Sequence, residues 1–199
     1  MSLSSIFRVS VFSVLLVLVA ACGKKYDPNA PLEPMGDFSL GYAVVVDDQA
    51  QIGPLSRKAD PGTWKKTLTE EVKKELGRYE GDKIYHLGIK VDGYVLAIPG
   101  VPLVVSPKSA LIVSVSVWDD AKREKITPEP KQLTVLESFS GNTLIGSGLT
   151  QSKKRQMRNL SRNMAVAIHK YLLKNPEWFG LPPLPEPVEK PAQGSNGDN

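Results

Sequence analysis

The sequence predicts an α+β fold of two layers: an antiparallel four-stranded sheet with two helices on one face, in the order β-α-β-β-β-α. Three observations predict it. Apolar and polar side chains alternate at period two through residues 83–98, 109–118 and 132–139, the pattern of strands buried on one face. Two further stretches repeat apolar residues at helical spacing, Trp64, Leu68, Val72, Leu76 and Tyr79, then Met157, Leu160, Met164, Ile168 and Tyr171 or Leu172. Proline-rich, aperiodic stretches bracket them, so one folded domain is expected over residues 37–180.

The chain opens on an apolar run. Residues 9–21 carry no charge, and Arg8 with the α-amino group makes a weakly positive start. A run of this length is too short for a bilayer core, which takes roughly 20 apolar residues, and it has the form of a secretory signal ending in small residues. The only cysteine, Cys22, stands directly after them. Val19-Ala20-Ala21-Cys22 resembles the lipobox of bacterial lipoproteins. The resemblance implies a signal peptide over residues 1–21, diacylglycerol on the Cys22 sulfur, and acylation of its new amino group. Gly23 stands where, in many such proteins of Gram-negative bacteria, an aspartate would hold the chain at the inner membrane. The same class rule therefore implies the outer membrane, periplasmic face, with the inner membrane as the alternative. One cysteine makes no internal bridge, so the fold must stand on its core. Acyl chains supply about 0.8 kcal/mol per buried methylene, so the chain needs no membrane-binding surface of its own.

Residues 22–36 contain Pro28, Pro31 and Pro34 and read as a flexible tether. Residues 181–199 hold five further prolines and then a polar end, and read as a disordered tail. Between them, residues 39–46 are predicted as the first strand, rich in valine. Asp60-Pro61 is predicted to start the first helix, with an N-cap carboxylate and proline in the first turn, and Gly81 to end it. In the second strand Leu87, Ile89, Val91 and Val95 are placed on one face, with His86, Lys90, Asp92 and Tyr94 on the other. Residues 109–118 and 132–139 supply the third and fourth strands, joined through a charged exposed hairpin at residues 119–130. Thr150 or Ser152 caps the second helix, Asn175-Pro176 stops it, and Trp178-Phe179 fold back as an apolar lid. This element order is similar to that of small outer-membrane accessory lipoproteins, such as those of lipopolysaccharide assembly. The likeness is one of topology, without a shared motif, and implies nothing about ligands.

No motif for catalysis stands out. His86 and His169 are the only histidines, they lack ligand spacing, and both are expected at the surface, so no metal site is expected. Gly146-Ser147-Gly148 lacks the spacing of a nucleophile elbow, and Ser147 occupies the lysine position of a phosphate-binding loop. Asp119, Asp120 and Glu124 are more simply a solvated hairpin than an acid/base pair. Two features are harder to set aside. Lys154, Arg158 and Arg162 line one helix face at (i, i+4) spacing, where like charges repel. Near the middle of the chain, Ile98, Val101, Leu103 and Val104 lie in an apolar segment interrupted by prolines, which marks a contact surface if exposed.

The formal charge of +4 falls by one when Arg8 leaves with the signal, a mild basicity compatible with anionic envelope partners. The expected function is that of a non-enzymatic envelope lipoprotein, a binding or assembly accessory held at the membrane by its N-terminal lipid. Lys154, Arg158 and Arg162, with the 98–105 segment, are its expected contacts to an envelope protein or anionic lipid. Neither a cofactor nor a nucleic-acid partner is expected. The alternatives are a periplasmic hydrolase of envelope glycan or lipid, which would join Asp119 or Asp120 to a histidine in a cleft, and a lipid carrier with an apolar cavity.

Overall fold

The computed structural model describes residues 31–98, 109–137 and 152–185. The expected signal, Cys22, most of the tether, Val101, Leu103, Val104, the 141–148 glycines and most of the tail lie outside these residues. Within the unit that begins at Leu32, the elements are β1 (Phe38–Val46), β2 (Gln51–Ile52), α1 (Thr63–Leu76), β3 (Lys83–Val95), β4 (Ala110–Asp119), β5 (Glu124–Lys125), β6 (Lys131–Leu136) and α2 (Lys153–Leu173). A 3₁₀ turn, Pro176–Phe179, follows.

Among the described residues the sheet is mixed and has six strands, which corrects the four-stranded antiparallel expectation. β1 and the short β2 run parallel to β3 along one of its edges. β4 is antiparallel to β3, and β5 and β6 are both antiparallel to β4 on its far edge. The parallel pair follows from the connection. Helix α1 lies between β1 and β3, and a strand–helix–strand crossover returns the chain in the direction it left. Alternation of side chains cannot reveal this, because parallel and antiparallel strands share the same period.

Both helices place their predicted stripes in the core. Trp64, Leu68, Val72 and Leu76 of α1 and Met157, Leu160, Met164, Ile168 and Leu172 of α2 are all buried. They meet Leu87, Ile89 and Val91 of β3 and Leu111, Val113, Val115 and Val117 of β4. Contacts follow the same order along the two helices: Ser161 Oγ donates to Thr67 Oγ1 at 2.9 Å, Arg162 pairs with Glu71 at 3.6 Å and His169 with Glu75 at 2.8 Å. The helices therefore run in the same direction, with their N-terminal ends together.

Three local expectations change. Helix α1 starts at Thr63, with Gly62 in the left-handed region (φ +70°) as its cap residue. The Asp60 carboxylate is drawn instead to Lys153 Nζ at 2.7 Å, and a carboxylate oxygen of Asp47, at the end of β1, accepts from Lys65 N–H. Gly77, rather than Gly81, closes the helix. Gly81 serves a close approach, since a Cβ there would lie 2.5 Å from the Phe38 nitrogen. In β3 a register shift between Val91 and Gly93 reverses the alternation, so Tyr94 is buried against Trp64, with ring centroids 5.4 Å apart. Trp178-Phe179 do fold back, but Phe179 is a core residue rather than a lid, buried against Phe38 and Tyr85.

Candidate functional site

The basic row predicted on the second helix divides in two. Arg162 is engaged with Glu71, which removes it from the set. Lys154 and Arg158 instead line a cleft of about 420 Å³ between the first turns of α1 and α2, with Lys66 of α1. Asp60, Thr63, Thr67, Glu70, Lys153 and Met157 complete the lining. Lys153 is committed to Asp60, whereas Lys66, Lys154 and Arg158 make no ion pair with any described residue. Thr67 Oγ1 donates to the Thr63 carbonyl at 2.9 Å, so its hydroxyl is partly used by the fold. The cleft thus gathers positive charge that the fold leaves without an ion pair among the described residues. Lys66, on the other helix, stands outside the row predicted on the second helix. Its part in the cleft depends on two helices 90 residues apart in sequence packing side by side, for which a linear pattern carries no signal.

The histidines are not bare surface groups. On β3, His86 Nδ1 accepts from the Tyr42 N–H at 2.9 Å, which leaves the proton on Nε2, and Nε2 donates to Asp120 Oδ1 at 2.9 Å. The imidazole sits where β1 bulges between Leu40 and Ala43, and it replaces the ladder partner that Tyr42 lacks there. Gly41 leaves the room: a Cβ would come within 2.5 Å of the ring. Asp120 and a histidine are therefore brought together, as the hydrolase alternative requires, yet on the open face of the sheet and with both ring nitrogens already bonded. Asp119 points the other way, is buried, and accepts from Lys122 N–H at 3.0 Å. Glu124 pairs at 3.8 Å with Lys122.

His169 lies between the helices, a correction to its expected surface position. Its Nδ1 lies 2.8 Å from Glu75 Oε1 and its Nε2 2.6 Å from the Tyr79 hydroxyl, which donates to the Glu33 carbonyl at 2.8 Å. A phenol has one proton. With that proton on the Glu33 carbonyl, the phenol oxygen is left to accept from His169 Nε2. Burial, then the nearby Glu33 and Glu75 carboxylates, push the Tyr79 phenol up to about 12. Glu75, a charged residue on an apolar helix face, was the sequence signal for this network.

Ile98 is 39% exposed, and the rest of its predicted patch lies outside the described residues. Exposed apolar side chains occur elsewhere, on the open face of the sheet: Tyr42, Val44, Val46, Ile84 and Trp118. Among the described residues no three His, Cys, Asp or Glu side chains converge on a metal position, and no helix is long and apolar enough to cross a membrane.

No protein-family model matches the chain, and no curated protein matches it. Several solved structures align with it at low identity and low structural similarity. Protein XCC0632 from Xanthomonas campestris, of family DUF330, aligns at 14% identity and a TM-score of 0.41, covering 71% of this chain and 91% of its own. The hypothetical protein CT253 from Chlamydia trachomatis aligns at 12% identity and a TM-score of 0.39, over 67% of this chain and 97% of its own. A minor lipoprotein from Acinetobacter baumannii aligns at 16% identity and a TM-score of 0.32, over 67% and 91%. Likeness at this level carries no inference about ligand or partner.

Proposed function

We propose that this chain is a lipid-anchored envelope protein, held by Cys22 at the periplasmic face of the outer membrane, that acts by binding an anionic partner. The observation that carries the binding role is the interhelical cleft, where Lys66, Lys154 and Arg158 line a common space and outnumber Glu70, with no ion pair to any described residue. That arrangement is locally unfavourable. Lys154 and Arg158 repel at (i, i+4) spacing, and cations in the first turns of a helix oppose its dipole by a few tenths of a kcal/mol each. A negative partner relieves both terms. The anchor is supported by Val19-Ala20-Ala21-Cys22 and the apolar run before it.

Two measurements test the two halves separately. Cys22→Ser is expected to abolish incorporation of labelled fatty acid; retained labelling would refute the anchor. For the cleft, the Lys66→Glu/Lys154→Glu/Arg158→Glu variant is expected to lose a partner recovered by crosslinking in intact cells. An unchanged set of crosslinked partners would sink the binding role while leaving the anchor untouched.

A further inference from the structure

Resting on the binding role proposed above, we propose that the cleft between α1 and α2 binds the dianionic phosphate of a phosphomonoester, with Lys66, Lys154 and Arg158 as its ligands. Charge selects the class. Lys153 and Asp60 neutralise each other at 2.7 Å. Three cations against Glu70 remain in the lining, an excess of two positive charges. A phosphomonoester carries about −1.5 to −2 at pH 7, close to that excess. A carboxylate or a phosphodiester, with one charge, leaves half of it uncompensated.

Donor chemistry points the same way. The guanidinium of Arg158 presents a planar fork suited to two phosphate oxygens, and the two ammonium groups act as point charges around the third. The parallel packing of the helices adds two positive dipole ends beside these side chains. Size sets the rest of the ligand. At about 420 Å³ the cleft is in the range of small-molecule sites, roughly 300–1,000 Å³, and far larger than a bare ion needs. The methylene stems of the lining lysines bring apolar surface to that extra space. A sugar phosphate or the headgroup of a phosphatidic-acid type lipid meets these requirements, and both carry the same phosphomonoester.

The test is calorimetric titration of the lipidated protein in neutral detergent micelles with four soluble probes: inorganic phosphate, glucose 1-phosphate, short-chain phosphatidic acid and short-chain phosphatidylglycerol. One or both phosphomonoesters are expected to bind about tenfold or more tightly than the phosphodiester, and more tightly than inorganic phosphate. Whichever of the sugar and lipid esters binds more tightly identifies the source. Lys154→Gln/Arg158→Gln is expected to weaken that binding by about tenfold or more, whereas Arg155→Gln, which removes a positive charge of the same helix outside the cleft lining, is expected to leave it unchanged. The double variant removes a repulsion from an exposed face, so its melting temperature should not fall, and a lost titration cannot be ascribed to unfolding. Equal binding of diester and monoester, binding indifferent to Lys154→Gln/Arg158→Gln, or binding of inorganic phosphate alone would overturn the assignment. If the crosslinked partner of the preceding experiment is still lost in the charge-reversed variant, that failure falls on the phosphomonoester and not on the binding role.

Discussion

Phe38→Ala is expected to lower the unfolding free energy by about 3–5 kcal/mol, the range for truncating a buried phenylalanine. Phe38 is fully buried and is the first residue of β1. Its ring stacks on Tyr85 of β3 (centroids 5.6 Å, planes 8° apart) and meets Tyr79 and Phe179 edge-on at 5.9 and 5.1 Å. Those partners come from the sheet, from the segment after α1 and from the 3₁₀ turn. Removing the ring therefore leaves a cavity walled by three separate parts of the chain, which cannot close by moving one side chain. Edge-to-face and offset pairs contribute about 0.5–1.5 kcal/mol beyond the area they bury. Urea unfolding followed by tryptophan fluorescence checks it; a loss under about 1 kcal/mol would mean that the aromatic cluster is loosely packed.

The chain Glu75–His169–Tyr79 provides the second large effect, with a pH signature. His169→Leu removes the Nδ1 bond to Glu75 and the Nε2 contact to Tyr79 at once, and is expected to cost about 3 kcal/mol, as for other buried polar pairs deprived of one member. Tyr79 reports the alkaline limb. Its folded value of about 12 lies above the ordinary tyrosine value of about 10, because burial, then Glu33 and Glu75, disfavour the phenolate. A raised acid of this kind contributes stability that is present below pH 10 and is lost as pH rises through about 12. Tyr79→Phe should therefore be less stable than the parent at pH 7, by about 1–3 kcal/mol for two lost bonds. The gap should narrow between pH 10 and 12, since phenylalanine has no proton to lose. Paired urea melts across that window decide it; a gap that stays constant with pH would refute the buried-phenol account.

The residues that carried most of the fold were visible from spacing. Both helical stripes, the Leu87–Ile89–Val91 and Leu111–Val113–Val115–Val117 faces and the Ser152 cap of α2 all stand where the periodicity places them. Those features depend on neighbours within one or two turns, which a linear pattern records. The strand alternation failed at Tyr94, because the register shift at Val91/Gly93 inserts a residue that period-two counting does not anticipate. It also missed that β1 carries apolar side chains on its open face, Tyr42, Val44 and Val46, since a run apolar on both faces has no period to interpret. The parallel β1–β3 pair was implied by the helix between them, a topological clue rather than a compositional one.

By itself the sequence determined the membrane-anchor expectation at Cys22, the two amphipathic helices and the inward faces of β3 and β4, all written in short-range order. Only the tertiary structure decided which polar groups meet. Whether Arg162 is free or paired, whether His169 is exposed or bridged to Glu75 and Tyr79, and whether Lys66 joins Lys154 and Arg158 depend on α1 and α2 running parallel. Apolar burial is non-directional and leaves its mark on every turn of a helix. A charge–charge or hydrogen-bond partner is a matter of a few ångströms across the fold, and that distance exists only once the helices have packed.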